Sequence, residues 1–568
     1  MKLLLKNGIV INVFTDSLEK ADVLIEDGKI IGVGEYSDKD ADVVEDVSGK
    51  YISPAFIDGH IHIESTMLTP YELAKICLPR GTVSIFADPH EIANVCGVDG
   101  IRYMIQASKD LPMNVYVNLP SCVPATHFDE SGADLGAEEL SALYAEERVV
   151  GLAEMMNYPA VISDNKNVID KISDAHKQNR VVDGHAPMLS GKALDKYISA
   201  GIQSDHECSS FEEAREKLSK GQWIMIRQGT AARNLAALLP LFNEPYNRRC
   251  LLVTDDRHPA DIVNHGHIDN IIRQAISLGA SPIVAFRMAT RQAAECFGLR
   301  FVGAIAPAYR ADILVLNDLN SVDVCDVYSN GKKVVDNKKV VSFEHPTVDA
   351  ALENTIYNSF NLDKLSPSDF YIQPNSKKCR VIKVLAGELV TEELILDIDW
   401  NKNGGIDLDR DILKLAVIER HNDTGHKGLG FISGIGLKKG AIASSVSHDS
   451  HNLIVIGTND EDMAIAANHI RSVGGNVVVC DGRIVAQMPL AIGGLMTDEP
   501  AEEIAKKNAE VRSAVYELGV PKEIEPFMNM AFVSLAVIPS LKMTTLGLVD
   551  VINWKQVSLY VKENSCEK

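Results

Sequence analysis

Short apolar runs punctuate the chain from its start, and what separates them changes twice. Leu3–Val13, Ala21–Glu26 and Lys29–Val33 alternate or run apolar, and Asp27-Gly28 between the last two is a hairpin signal. Three such strands form a β unit too small to bury much alone. A matching piece returns later as Ala311–Leu316, Val324–Ser329 and Lys332–Val335, with Asn330-Gly331 as its turn. The pattern predicts one small β domain from residues 1–50 and 301–345, split by an insertion. Within that insertion, residues 51–300, apolar strands alternate with amphipathic helical stretches such as Asn167–Asn179, Gly191–Ala200 and Ser210–Lys220. Tyr51–Ala55 leads into a first strand, followed by Thr82–Ala87, Asn114–Leu119, Val149–Ala153, Arg180–Val182, Gly201–Ser204, Trp223–Ile226 and Cys250–Val253. Eight strand–helix units over about 250 residues predict an α/β fold of the (β/α)8 TIM-like barrel kind, with function at the C-terminal ends of the strands.

From residue 346 the pattern changes again. Asp349–Ser376 is loop-rich and carries Pro367 and Pro374, which reads as a linker. Arg380–Leu389, Ile412–Glu419, Ala441–Ser447 and Asn452–Gly457 are strand-like, and Asp460–Ser472 is helical. Asn476–Cys480 and Arg483–Gln487 flank the turn Asp481-Gly482. Residues 346–568 are therefore expected to form a C-terminal α+β domain.

Composition narrows the function classes. With 56 basic and 78 acidic residues the net charge is −22, which argues against a nucleic-acid backbone as partner. No apolar run reaches the roughly 18 residues of a membrane helix, and Met530–Ile538 is cut short by Pro539. The 10 cysteines include no Cys-x-x-Cys pair and no signal peptide is evident, so a reducing cytoplasm is expected.

The chemistry sits at the predicted strand ends. His60 and His62 in Gly59-His60-Ile61-His62 share one face of a strand, where two imidazoles can chelate one ion, and Gly59 removes bulk beside them. Later strands end in Asp88-Pro89-His90-Glu91, Glu154, Asp183-Gly184-His185, Asp205-His206-Glu207, Arg227-Gln228-Gly229 and Thr254-Asp255-Asp256-Arg257-His258. One histidine after a strand is ordinary; histidine or carboxylate at so many mouths together predicts a metal site. Imidazole with carboxylate suits zinc, manganese or ferrous iron, and the lack of thiolate ligands argues against a structural zinc site. His60, His62, His185, His206 and Asp255 exceed the needs of one tetrahedral ion, and Glu154 could bridge two. Two divalent ions would make a shared water a hydroxide near neutral pH, and Asp255 could orient it and accept its proton. Hydrolytic attack on an electrophilic carbon follows. In the C-terminal region, Ser447-His448-Asp449-Ser450-His451 could complete the active site as a lid, bind a further metal, or close a turn by local hydrogen bonds.

These stretches resemble the amidohydrolase superfamily of metal-dependent barrels. Within it they resemble the bacterial adenine deaminases, through Gly59–Ser65, Asp88–Ile92, Gly151–Met156, Met225-Ile226-Arg227 with Gly229, Thr254–Arg257 and Val446–Asn452. The resemblance spans nearly the whole chain and implies hydrolysis of adenine to hypoxanthine and ammonia. It implies two divalent ions, manganese first and iron or zinc as alternatives, and a homo-oligomer, most simply a dimer. Glu154 is then either the bridging ligand or the acid that protonates purine N1. His90 and Arg227 are either purine contacts or structural ion pairs at the rim. Relatives that open cyclic amides carry a carbamylated lysine on strand four, where this chain has Glu154. An inactive relative with a binding role would be expected to have lost ligands, and none is missing.

Overall fold

The computed structural model describes residues 1–561. They fall into two compact units. One contains Met1–Pro89, Met104–Ser121 and Gly136–Thr347; the other contains His90–Tyr103, Cys122–Leu135 and the chain from Val348.

In the first unit the two separated β pieces join one mixed sheet. Its order is Lys339–Val340, Lys332–Asp336, Val324–Ser329, Ile313–Leu316, Tyr51–Pro54, Lys2–Asn12, Ser17–Glu26, Lys29–Gly34, with Val43–Asp46 also paired to Lys2–Asn12. Tyr51–Pro54 thus belongs to this sheet, where it pairs antiparallel with Ile313–Leu316. Asp27-Gly28 and Asn330-Gly331 all take positive φ, as a tight two-residue hairpin turn requires.

The same unit holds a curled parallel sheet of β1 (Phe56–Ile61), β2 (Thr82–Ala87), β3 (Asn114–Leu119), β4 (Val149–Met155), β5 (Val181–Gly184), β6 (Ser204–Asp205), β7 (Trp223–Arg227) and β8 (Cys250–Val253). β1 to β5 pair in sequence, and β6 to β8 form a second parallel run. Gln203 N donates to Val182 O at 3.1 Å beside β5, and Asp255 N donates to His60 O at 3.0 Å where the chain leaves β8. Ile57, Phe86, Trp223, Met225, Leu251 and Val253 from four strands form one buried cluster with Ala293, Ala294 and Phe297. This is an α/β barrel-like domain, with apolar side chains filling the curl. A Cβ on Gly59 would stand 2.4 Å from Leu251 Cδ1, so β1 approaches β8 only with glycine there.

The second unit is built on an eight-stranded sheet in the order Thr391–Asp397, Lys378–Val384, Lys427–Ser433, Leu413–Ile418, Leu453–Gly457, Ala441–Ser444, Asn476–Cys480, Arg483–Met488. The helix Asp460–Val473 buries Met463, Ala466, Ala467 and Ile470 against Ala416, Ala441, Val455 and Val477 of that sheet. The expected linker carries the α-helix Ala350–Tyr357 and a short 3-10 helix, Pro367–Phe370, in chain without regular strands. Among the described residues, no helix is long and apolar enough to cross a membrane.

Candidate metal centre and active site

β1 carries His60 and His62 to a common point. Their Nε2 atoms face each other at 3.2 Å, and both rings are buried. His62 Nδ1 lies 3.1 Å from the Asp88 carbonyl oxygen, which can only accept, so the ring proton sits on Nδ1 and the Nε2 lone pair faces the centre. His60 Nδ1 lies 3.0 Å from Asp183 Oδ2 and is fixed the same way by a carboxylate. Two lone pairs opposed at 3.2 Å repel unless a cation stands between them. Ligand bonds of about 2.1 Å give a tetrahedral edge of roughly 3.4 Å, so the separation suits one divalent ion.

Glu154, near the end of β4, connects this pair to a second. Its Oε1 is 3.3 Å from His62 Nε2 and 3.8 Å from His60 Nε2. Its Oε2 contacts His185 Nδ1 and lies 3.3 Å from His206 Nε2. Asp255, just past β8, places Oδ1 3.0 Å from His62 Nε2 and 3.6 Å from His60 Nε2. Its φ of +59° is a conformation L residues adopt sparingly, and Asp tolerates it better than most. His60, Glu154 and His206 form one group of potential ligands, His60, His62 and Asp255 another, and His185, His206 and Glu207 a third.

The electrostatics agree with the geometry. Burial disfavours the Glu154 carboxylate, but the charges of His185 and His206 hold it well below the usual range. Burial likewise disfavours ionised Asp255, and Arg227 followed by His60 and His62 outweighs it. Burial and the charge of His206 lower His60, yet hydrogen bonds to Asp183 and Asp255 lift it to about 8. His62 and His206 rise well above the ordinary value despite burial, through Asp255 and Glu154 for the first and Glu154 for the second. Buried carboxylates make the Nε2 lone pairs of these imidazoles more basic, and therefore strong donors to a divalent cation in place of a proton.

All six expected ligands, His60, His62, Glu154, His185, His206 and Asp255, are thus brought together. Arg227 lies beside them but donates to Asp255 Oδ2 at 2.8 Å and to both oxygens of Glu207. His90 belongs to the other compact unit, at the start of the helix His90–Ala107, with Nε2 3.9 Å from Asp449 Oδ1. There too Glu91 meets His448 Nδ1 at 3.1 Å and His451 Nε2 at 3.5 Å.

Three contributors carry no role in the sequence reading. Asp183 orients His60, the Asp88 backbone orients His62, and Glu207 lies 3.4 Å from His206 Nε2. Asp183 shared a strand face with His185, two residues on, which was the available signal. A fourth, Asp58, sits beneath: its oxygens take Thr254 N at 3.1 Å and Thr254 Oγ1 at 2.5 Å, tying β1 to β8.

Residues 51–334 match the amidohydrolase family, and residues 388–555 match the adenine deaminase C-terminal domain. The chain is 45% identical over 559 residues to adenine deaminase 2 of Carboxydothermus hydrogenoformans, covering 98% of this chain and 96% of the relative. It is 44% identical to the adenine deaminase of Clostridium acetobutylicum, covering 97% and 96%. A solved dihydropyrimidinase from Brevibacillus agri NCHU1002 is similar at 17% identity and a TM-score of 0.46, over 61% of this chain and 97% of that one. With relatives this similar end to end, the chain belongs to the adenine deaminase family of amidohydrolases.

Proposed function

We propose that this protein converts adenine and water to hypoxanthine and ammonia at a pair of divalent ions, manganese first, held within a closed (β/α)8 barrel. The observation that carries the reading is the placement of Glu154. One oxygen faces the Nε2 atoms of His60 and His62, and the other faces His185 and His206. A carboxylate divided in this way supports the bridging role over the acid role, since neither oxygen is left over for purine N1.

Two ions held there would supply a nucleophilic hydroxide near neutral pH. The protein's part is to place and to move protons. Asp255 Oδ1, beside His60 and His62, is positioned to take the proton of the attacking water and hand it to the departing nitrogen. As oxygen adds at C6, ring N1 takes one of the water's two protons; the other passes through Asp255 to the exocyclic nitrogen as the C6–N bond breaks, so ammonia leaves and hypoxanthine keeps C6=O and N1–H. Burial of His60, His62, Glu154, His206 and Asp255, with His185 partly exposed, limits bulk water in the site.

The test is stepwise reconstitution of metal-free protein with Mn2+, following the purine absorbance and released ammonia. Activity is expected to saturate at two equivalents. Full activity at one equivalent, or turnover of a cyclic amide in place of adenine, overturns the reading.

A further inference from the structure

Asp255 has two oxygens, and only one faces the histidines. The other, Oδ2, accepts from Arg227 Nη1 at 2.8 Å. Arg227 is itself held: its Nη2 donates to Glu207 Oε2 at 3.0 Å, and its Nη1 also donates to Glu207 Oε1. A guanidinium is a rigid planar fork, so a carboxylate gripping two of its nitrogens fixes the direction of the remaining donors. The three side chains are mostly buried, at 13% exposure for Arg227 and Glu207 and 6% for Asp255, so the pairs are little screened by water.

We propose that Glu207 and Arg227 form a positioning pair for the reaction. Glu207 fixes Arg227, Arg227 occupies Oδ2 of Asp255, and Oδ1 is thereby kept turned toward His60 and His62. Without the pair, the Asp255 carboxylate is free to rotate about its terminal torsion, which is broad and weakly restrained. Neither residue touches reacting atoms in this account; both act through Asp255. It rests on the proton-handling role of Asp255 given above, and it differs from the purine contact expected for Arg227.

The two accounts of Arg227 separate in kinetics and in product binding. Arg227→Gln, Glu207→Gln and the double variant are assayed at full metal occupancy, verified by metal analysis, and hypoxanthine affinity is measured calorimetrically. A positioning pair predicts kcat lowered on the order of thirtyfold in Arg227→Gln and tenfold in Glu207→Gln. KM and hypoxanthine Kd stay within about twofold in both, and the double variant is little worse than Arg227→Gln, because residues acting as one unit are not additive. Glu207→Asp, which keeps the charge, recovers part of the loss. The proposal is overturned if Arg227→Gln raises KM and hypoxanthine Kd at unchanged kcat, or if Glu207→Gln matches the parent protein. Asp255→Asn separates the premises: near-normal turnover there removes the role of Asp255 and the pair with it. An inactive Asp255→Asn beside a normal Glu207→Gln removes the pair alone.

Discussion

Each compact unit contains a buried cluster of histidines and a carboxylate, and the two differ in which ring nitrogen carries the proton. Around Glu154, the outer nitrogens of His60 and His62 donate to Asp183 and to the Asp88 carbonyl, which leaves lone pairs facing inward. Around Glu91 the polarity is reversed at His451. There the Ser447 backbone N–H donates to Nδ1 at 3.2 Å, so the proton of the neutral ring sits on Nε2, the atom that faces Glu91. Burial, helped by the charges of His448, Arg420 and His90, outweighs the opposing pull of Glu91 and keeps His451 well below the ordinary histidine value, so the ring is neutral. Proximity alone makes Glu91, His448 and His451 a possible metal triad. The tautomer favours a hydrogen-bonded turn over a metal site, with His448 stacked on Phe532 at 4.5 Å between ring centroids. Similar residues in similar burial therefore do different work according to what anchors the far side of each ring.

The largest effect should come from breaking the barrel cluster. His60→Ala is expected to abolish metal retention and adenine turnover while far-UV dichroism is unchanged. Asp183→Asn tests the anchor itself. Asp183 Oδ1 already accepts from Gly184 N at 2.8 Å and Ser204 Oγ at 2.5 Å, so the amide oxygen stays there and the NH2 faces His60. That forces the His60 proton onto Nε2, toward the centre. Metal affinity should fall on the order of 10- to 100-fold, as for lost second-layer partners generally. An Asp183→Asn variant that binds metal as the parent does would falsify the comparison.

The opposite outcome is expected from the Glu91 cluster. Replacing His448 and His451 together with alanine should leave the number of bound metal equivalents unchanged and lower the unfolding midpoint by about 5 °C. Loss of a metal equivalent would break the comparison, and lowered kcat/KM at an unchanged midpoint would favour a lid.

How far the sequence carried can be judged from particular residues. His60 and His62 were legible because a strand repeats every two residues and both rings fall on one face. Asp183 stands in the sequence without a recognisable task, because its partner is 123 residues away on β1, and local pattern cannot say which strands look at each other across a curl. Glu207 was missed for another reason. Strand alternation would turn it away from His206, but β6 ends at Asp205, so both side chains leave the strand and reach the site. In the C-terminal unit the strand Lys427–Ser433 escaped because Gly428 and Gly430 weaken a strand pattern. The structure supplies their reason: a Cβ on Gly428 would lie 2.0 Å from Thr544 O, and one on Gly430 2.6 Å from Met543 Cε. The edge strand Thr391–Asp397 escaped because its Glu392 and Glu393 face water, as edges commonly do.

The smallest effect concerns pH and carries the comparison into stability. His421 lies beside the Glu91 cluster in chain contacts: its Nε2–H donates to Ser450 O at 2.7 Å, within the turn that holds His451. Burial, with the charge of Arg420 second, lowers its pKa to about 3. The folded protein therefore keeps this ring neutral, while the unfolded chain takes a proton below about 6.5. Stability from this group is complete above pH 6.5 and is lost as the pH falls toward 3, because in that window the unfolded state binds more protons. Between pH 7 and 5.5 one such histidine costs about 1 kcal/mol. His421→Gln keeps a donor for Ser450 O and cannot titrate. Its unfolding midpoint should sit below the parent's at pH 7 and draw level or pass it by pH 5.5, read by thermal melts of metal-loaded protein at both values. Parallel midpoint–pH curves would mean that His421 titrates alike in both states, and that the neutral, proton-fixed character assigned to this unit's histidines is wrong.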